Sequence, residues 1–361
     1  MTTTGTDSRN RLQHHEGTAI KRFLRTLSTP GGAIFVLALV LLAAIIVANP
    51  SFGEPSRLMA FVARSAPIMI LAFGQYFVIV SGEFDLSVGA LVSMQAVIAG
   101  NVILGEDDLV RGIALMIAVG LTVGLVNGVA TTWLKVPSFI VTLGTMLMLS
   151  GLALYVSGGA VQGRAASLQP LFRNGIEDVP LVGRIPYPVL ILLAVSALVV
   201  WLMRRPYGRT LIAAGDNPEA ARLAGAHVGW IKTRAFIISA LAATLAALLL
   251  VSRSGASPSL GDGLEFQAIT AVVLGGVVLG GGRGWVLSAG AGAFALELMF
   301  SLLNFLGVQP TWRPTVQGVI IILAVAAAAK SWGSRRRSRA EQPDSTLDPE
   351  HQPDSRPHHT G

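Results

Sequence analysis

The chain contains no cysteine, which excludes disulfides, thiolate metal sites and thiol nucleophiles and leaves no trace of a redox compartment. It is also poor in charge. Only 13% of its 361 residues are Asp, Glu, Lys or Arg, where globular chains carry about 25%. With 52% apolar residues and a mean hydropathy of +0.62, a water-soluble fold could not cover its own surface. No GxxxxGK(S/T) phosphate loop, GxSxG elbow or HExxH zinc motif occurs, and the Gly-rich stretch 275–284 has no lysine. Five of the six histidines (His14, His15, His351, His358, His359) sit in polar ends, leaving only His227 near anything structured. No metal, cofactor or catalytic residue is therefore expected. What is abundant is small and apolar: 40 glycines and long alanine tracts, the residues through which membrane helices pack. The composition predicts an all-α, polytopic integral membrane protein. An enzyme acting on a lipid stays conceivable, but no residue pattern nominates its nucleophile or metal. The chain is therefore expected not to be an enzyme, and any ATP hydrolysis to lie in a separate subunit.

Apolar, nearly charge-free runs close to the roughly 20 residues needed to cross hydrocarbon fall at 31–53, 65–82, 86–105, 112–134, 136–163, 185–203, 235–252, 266–282, 284–312 and 314–329. These ten runs are read as ten spans, some of them short or discontinuous. The region 284–312, interrupted only by Glu297, is taken as one. The first run follows five basic residues, as a secretory signal would, but its length and Pro50 favour an uncleaved span. With both termini inside, the cytoplasmic segments hold 19 of the 27 lysines and arginines, which satisfies the positive-inside rule. The formal charge of +7 is then a signal of topology, and no nucleic-acid partner is expected. The organisation expected is a disordered cytoplasmic arm at 1–30, a membrane domain at 31–330 with a cytoplasmic loop at 204–234, and a disordered tail at 331–361. Arg335, Arg336, Arg337 and Arg339 would lie against anionic lipid headgroups.

Four segments stand out. In 76–93 an apolar run stops at Ser81–Gly82, Glu83 and Asp85 follow, and a second run resumes at once. This is either a tight turn in which Asp85 or Ser87 caps the next helix, or a polar hairpin reaching into the bilayer to line a wet path. In 119–152, Gly120, Gly124 and Gly128 share one helix face and permit close helix approach. Asn127 beside them is either glue between helices or a contact for cargo. In 204–236, Asp216 or Asn217 can cap a short helix with Pro218 at its first position, Glu219 next, and Gly225 at its end. Such an amphipathic piece suits docking into a partner, or lies on the membrane surface. In 261–293, Gly275, Gly276 and Gly280–Gly282 crowd eight residues. At about 1 kcal/mol each against alanine, they imply a helix that is broken or packed backbone to backbone. Glu297 is an ionisable group at membrane depth, or it marks a break between half-spans.

The stretches SGEFDLSVG (81–89), VPSFIVTLGTM (136–146), AAGDNPEAARLAG (213–225) and AITAVVLGGVVLGGGRG (268–284) resemble, in that order, the membrane permease of bacterial ATP-binding-cassette sugar importers of the ribose/xylose type. The resemblance covers roughly residues 30–330. Family members often read GGIDLSVG where this chain has Gly82-Glu83-Phe84-Asp85, so Glu83 leaves the sugar open. The resemblance implies a bacterial plasma-membrane permease that pairs with a second copy of itself, a cytoplasmic ATPase dimer and an extracytoplasmic sugar-binding protein. Its coupling segment would comprise Gly215, Asp216, Asn217, Glu219, Ala221, Arg222 and Gly225.

Sugars are neutral and rich in hydroxyls, so amides and hydroxyls should line the path. Gln75, Gln95, Asn127, Thr142, Asn304 and Gln317 are candidates, together with Glu83, Asp85, Ser87 and Phe139 from the two ordered blocks. Two alternatives remain on sequence. One is a secondary transporter in which Glu83, Asp85 or Glu297 titrates. The other is an ATP-driven permease for a non-sugar solute such as a branched-chain amino acid or a nucleoside.

Overall fold

The structure, a computed structural model, describes residues 30–158, 165–323 and 326. The expected N-terminal arm and C-terminal tail lie outside the described residues. Contacts divide the chain after Ile321, and the description below concerns the part before that point.

Among the described residues thirteen α-helices follow in chain order: α1 (Pro30–Ala48), α2 (Pro55–Val80), α3 (Val88–Val102), α4 (Leu109–Thr132), α5 (Ser138–Ser157), α6 (Gln169–Arg173), α7 (Tyr187–Arg204), α8 (Pro206–Asp216), α9 (Pro218–Leu223), α10 (Val228–Ser254), α11 (Leu264–Leu274), α12 (Val286–Phe305) and a last helical stretch, α13 (313–323). Seven of them are long and apolar enough to cross a membrane, and α3 and α11 are shorter apolar helices. The all-α expectation missed one feature, a two-stranded antiparallel hairpin of β1 (Gly175–Val179) and β2 (Gly183–Pro186).

The boundaries depart from the apolar runs for a physical reason. A run read from hydropathy stops at a charge, whereas backbone hydrogen bonding does not. Thus α2 begins ten residues ahead of its predicted run and carries Arg57 and Arg64 in its first turns, and α10 begins at Val228 and includes Lys232 and Arg234. Conversely, α1 stops at Ala48 because Asn49–Pro50 turns the chain into a short 3-10 segment. The predicted span 266–282 is corrected: α11 ends at Leu274, and 275–285 is irregular backbone in which Gly276, Gly281, Gly282 and Gly284 all have positive φ. The region 284–312 is one helix, as expected, but it stops at Phe305; Glu297 is inside it and not at a break.

Helices α2 and α10 lie at the centre, where α10 packs against α2, α3 and α4. Their buried faces go nearly all the way round, as in helices with protein on every side. In contrast, α1, α4, α5 and α7 leave Leu39, Leu121, Leu147 and Leu193 exposed, an apolar surface suited to hydrocarbon. The glycine stripe of α4 explains its close seat on α10. A Cβ at Gly120 would lie 2.4 Å from Thr244 Oγ1, one at Gly124 2.7 Å from Ile237 Cα, and one at Gly128 2.8 Å from Thr233 Cα. Gly275 abuts the backbone of Ser288 on α12 in the same way. Gly280, expected with these, does not pack closely: a Cβ there would meet nothing nearer than Val278 Cγ1 at 4.0 Å.

Candidate functional site

The hairpin between α2 and α3 begins with a helix stop. Glu83 N–H donates to Val78 O (3.1 Å) and Gly82 N–H to Ile79 O (2.9 Å), with Gly82 at φ +84°. This pair of bonds is the Schellman arrangement, and the left-handed φ is why a glycine stands there. The chain then runs without helix through 83–87 before α3 begins.

Asp85 is the pivot of that segment. Only 2% of it is exposed. One carboxylate oxygen accepts from the Ser87 N–H (3.0 Å) and the Ser87 hydroxyl (2.6 Å), and the other from the Ser239 hydroxyl of α10 (3.0 Å). Ser87 Oγ in turn accepts from Asn127 Nδ2 of α4 (2.9 Å), and Asn127 Oδ1 accepts from Thr145 Oγ1 of α5 (2.6 Å). Five buried side chains from the hairpin and three helices thus form one unbroken chain. The capping expectation is corrected here: Ser87 occupies the N-cap position, but no side chain caps α3, because Asp85 folds back onto Ser87. A carboxylate removed from water is tolerable only when donors surround it, and here the donors tie four elements together.

Around this network the hairpin has two further ties. Ser138 Oγ accepts from the Phe84 N–H (3.1 Å), and the Thr142 hydroxyl donates to Ser138 O (2.8 Å), so the α5 start holds the hairpin backbone. Glu83 pairs with Lys232 of α10 at 2.6 Å, both largely buried. Gln95 donates to Met116 O (2.8 Å) and Thr244 Oγ1 (3.0 Å), bridging α3, α4 and α10. Its Oε1, and both amide atoms of fully buried Gln75, have no partner among the described residues. The structure does not bring the remaining candidates into this group. Phe139 is 54% exposed on α5, Asn304 is exposed near the end of α12, and Gln317 is on α13.

The segment 204–234 is helical almost throughout. Asn217, and not Asp216, caps α9: its Oδ1 accepts from Glu219 N (3.1 Å) and Ala220 N (3.0 Å). Gly225, at φ +85°, closes it. Ala221 is buried and Leu223 is exposed, while Arg222 and Glu219 pair at 2.7 Å on the surface. The unpredicted helix α8 carries Gly215 against the end of α2, where a Cβ would meet Val80 O. Gly282 N–H donates to that same carbonyl at 2.8 Å. Three chain segments therefore converge on Val80–Gly82: the end of α8, the glycine turn 280–282 and the hairpin itself.

Between the hairpin and α9 lies a cavity of about 540 Å³, bounded by Glu83, Lys232, Thr131, Trp133, Trp230, His227 and the Pro218–Arg222 edge of α9. A second, of about 170 Å³, is bounded by Arg64, Arg253, Arg313 and Glu297, whose carboxylate accepts from Gln267 Nε2 at 2.5 Å.

Sequence reasoning missed Ser239, Thr145, Thr131, Lys232, Trp133 and Trp230. Lys232 is, in the sequence, one of the cytoplasmic-side charges of 204–234 and nothing more. Ser239 and Thr145 are single hydroxyls in apolar helices, and such residues carry no pattern that names their partners.

A family model described as branched-chain amino acid transport system / permease component matches residues 57–325, which include every element of this site. The chain belongs to that family. Curated relatives of this permease family include the ribose import permease protein of Bacillus subtilis strain 168, 34% identical over 296 residues, covering 81% of this chain and 89% of the relative. The ribose import permease protein of Escherichia coli K12 is 34% identical over 294 residues, covering 80% and 91%. The autoinducer 2 import system permease protein of Yersinia pseudotuberculosis YPIII is 34% identical over 262 residues, covering 72% and 73%. No solved structure matches the chain.

Proposed function

We propose that the chain is the membrane-spanning permease subunit of an ATP-binding-cassette importer that moves a monosaccharide-like solute inward across the bacterial plasma membrane. Family membership and the curated import permeases support the class. The single structural observation that carries the mechanism is the convergence of α8, the glycine turn and the polar hairpin on Val80–Gly82.

In this reading ten segments cross the bilayer with both termini inside, α3 and α11 being short crossings completed by irregular backbone. Non-helical backbone at membrane depth is stable only where protein or water satisfies it, and the Asp85 network does so for 83–87. Two copies pair, a cytoplasmic ATPase dimer docks on α9, and an extracytoplasmic binding protein delivers the cargo. ATP binding closes the ATPase and moves α9 with α8; Gly215 carries the displacement into the hairpin, and the helices repack around a wet path. The drive is the difference in binding energy between two permease conformations, so no chemistry is required of this chain. Asp85, Ser87 and Asn127 are saturated by one another and act by holding the hairpin. Gln75 and Gln95, with unspent amide valences, face the demand for neutral polar groups that a hydroxyl-rich cargo makes.

The test is reconstitution in vesicles with a candidate ATPase and a candidate binding protein of the same importer. Uptake of radiolabelled D-ribose, D-xylose or D-galactose should require all three components and ATP. Gradient-driven uptake by the chain alone would replace this reading with that of a secondary transporter.

A further inference from the structure

The cavity of about 540 Å³ beside the hairpin falls within the range of about 300–1,000 Å³ typical of small-molecule sites. Four observations give it the character of a built site. Thr131 is only 8% exposed and bounds the cavity, and its hydroxyl has no hydrogen-bond partner among the described residues. The Glu83–Lys232 pair offers an acceptor and a donor side by side, held at 2.6 Å and mostly shielded from water. Trp133 and Trp230 meet edge to face at 5.6 Å, and both line the same space. Lys135, also on its boundary, is held at φ +56°, a left-handed conformation that disfavours any residue with a Cβ; such outliers cluster where a ligand is held.

A hydroxyl, a carboxylate, an ammonium and two indole rings are the complement of a polyhydroxylated ring. Its hydroxyls need both donors and acceptors, and its C–H faces lie on aromatic surface. We propose that this cavity is a cytoplasmic-side binding site for a monosaccharide, through which sugar inside the cell slows its own import. The inhibition follows from the position of the cavity. Pro218 and Arg222 of α9 form one edge, while α4 and α10 form the others. A ligand bridging them favours the arrangement in which all three sides fit it, and opposes the movement of α9 by the same free energy. The proposal rests on reading the chain as a sugar permease, and its test is a binding measurement that does not need transport.

The full chain in lipid nanodiscs is titrated with D-ribose, D-xylose and D-galactose, each followed by tryptophan fluorescence. At least one sugar should give a saturable change. That change should vanish in the Trp133→Phe, Trp230→Phe double variant. Thr131→Val, which removes an unpaired hydroxyl at constant shape and so should not unfold the protein, should raise the half-saturating concentration about 3- to 10-fold, the worth of one hydrogen bond. In vesicles holding ATP and the ATPase inside, adding that sugar to the lumen should slow initial uptake, and Thr131→Val should lessen the ratio of slowing. The proposal is overturned if no sugar of the three produces a saturable change, if the change survives both variants, or if inorganic phosphate alone reproduces it. It is equally overturned if adding the ATPase abolishes sugar binding outright, since the cavity would then be a seat for that subunit. Saturable binding without ATP-driven uptake would instead remove the importer reading and leave the site standing.

Discussion

Gly215 lies so close to Val80 that no other residue fits between them: a Cβ on Gly215 would sit at 1.9 Å from the Val80 carbonyl oxygen. That carbonyl already accepts the Gly282 N–H at 2.8 Å. The contact is backbone to backbone, so neither side can yield by rotating a side chain. Gly215→Ala should therefore displace α8 from the hairpin at a cost of about 1–3 kcal/mol. ATP hydrolysis should continue while uptake falls at least tenfold, read as the ratio of sugar imported to ATP consumed; an unchanged ratio would remove Gly215 from the transmission path.

The next cap along the chain tests docking. Glu219 is exposed and, among the described residues, pairs with Arg222, and such surface pairs add at most about 1 kcal/mol. Glu219→Lys should leave insertion and thermal stability intact and abolish ATP-driven uptake by weakening the ATPase contact. Co-purification of the ATPase with the variant at parental yield would contradict this.

The Asp85 network should show a ranked loss. Ser239→Ala removes one of three donors to the carboxylate, so it should cost about 0.5–1.5 kcal/mol. Asp85→Ala leaves the hydroxyls of Ser87 and Ser239 without their acceptor in a buried site and opens a void, for about 2–4 kcal/mol. Thermal melting in detergent should reproduce that order, and equal losses would mean the network is not held through Asp85.

Glu83 and Lys232 are separated by 149 positions and joined at 2.6 Å. Removing one partner from a shielded pair leaves an uncompensated charge, at about 3–5 kcal/mol in fully buried cases. Glu83→Lys and Lys232→Glu should each lower the yield of folded protein, and the double exchange should recover most of it. A double variant no better than the worse single one would show that the two side chains do not interact.

The glycines should divide by their surroundings and not by their helix propensity. Gly124→Val drives a side chain into the α10 backbone, 2.7 Å from Ile237 Cα, and should abolish folded protein. Gly144→Ala and Gly151→Ala meet nothing within 4 Å and should be neutral or stabilising by up to about 1 kcal/mol. Size-exclusion profiles of the three variants decide it.

Much of this was legible in the chain. The apolar runs mark helices because hydrocarbon forces every backbone group to bond within its own segment. The glycine stripe 120–124–128 marks a contact face because its spacing follows the helical turn. The cap, open between Asp216 and Asn217, and the stop at Gly225 are local features of one short stretch, and the structure settles the cap as Asn217. The break at 275–284 was visible as a choice, and the positive φ values resolve it. The extent of α2 was not visible, since Arg57 and Arg64 interrupt its hydropathy without interrupting its hydrogen bonds.

By itself the sequence determined the membrane as solvent and the family, because each depends on composition or ordered local motifs. It shows ten apolar runs where the described residues hold seven long apolar helices and two shorter ones. Only the tertiary structure decided what Asp85, Glu83 and Thr131 face. Ser239 stands 154 positions from Asp85, and a lone hydroxyl in an apolar helix names no partner. Its partner is fixed by how α10 packs against α2 and α3, the two helices that flank the hairpin, which is a property of packing and not of the chain read in order.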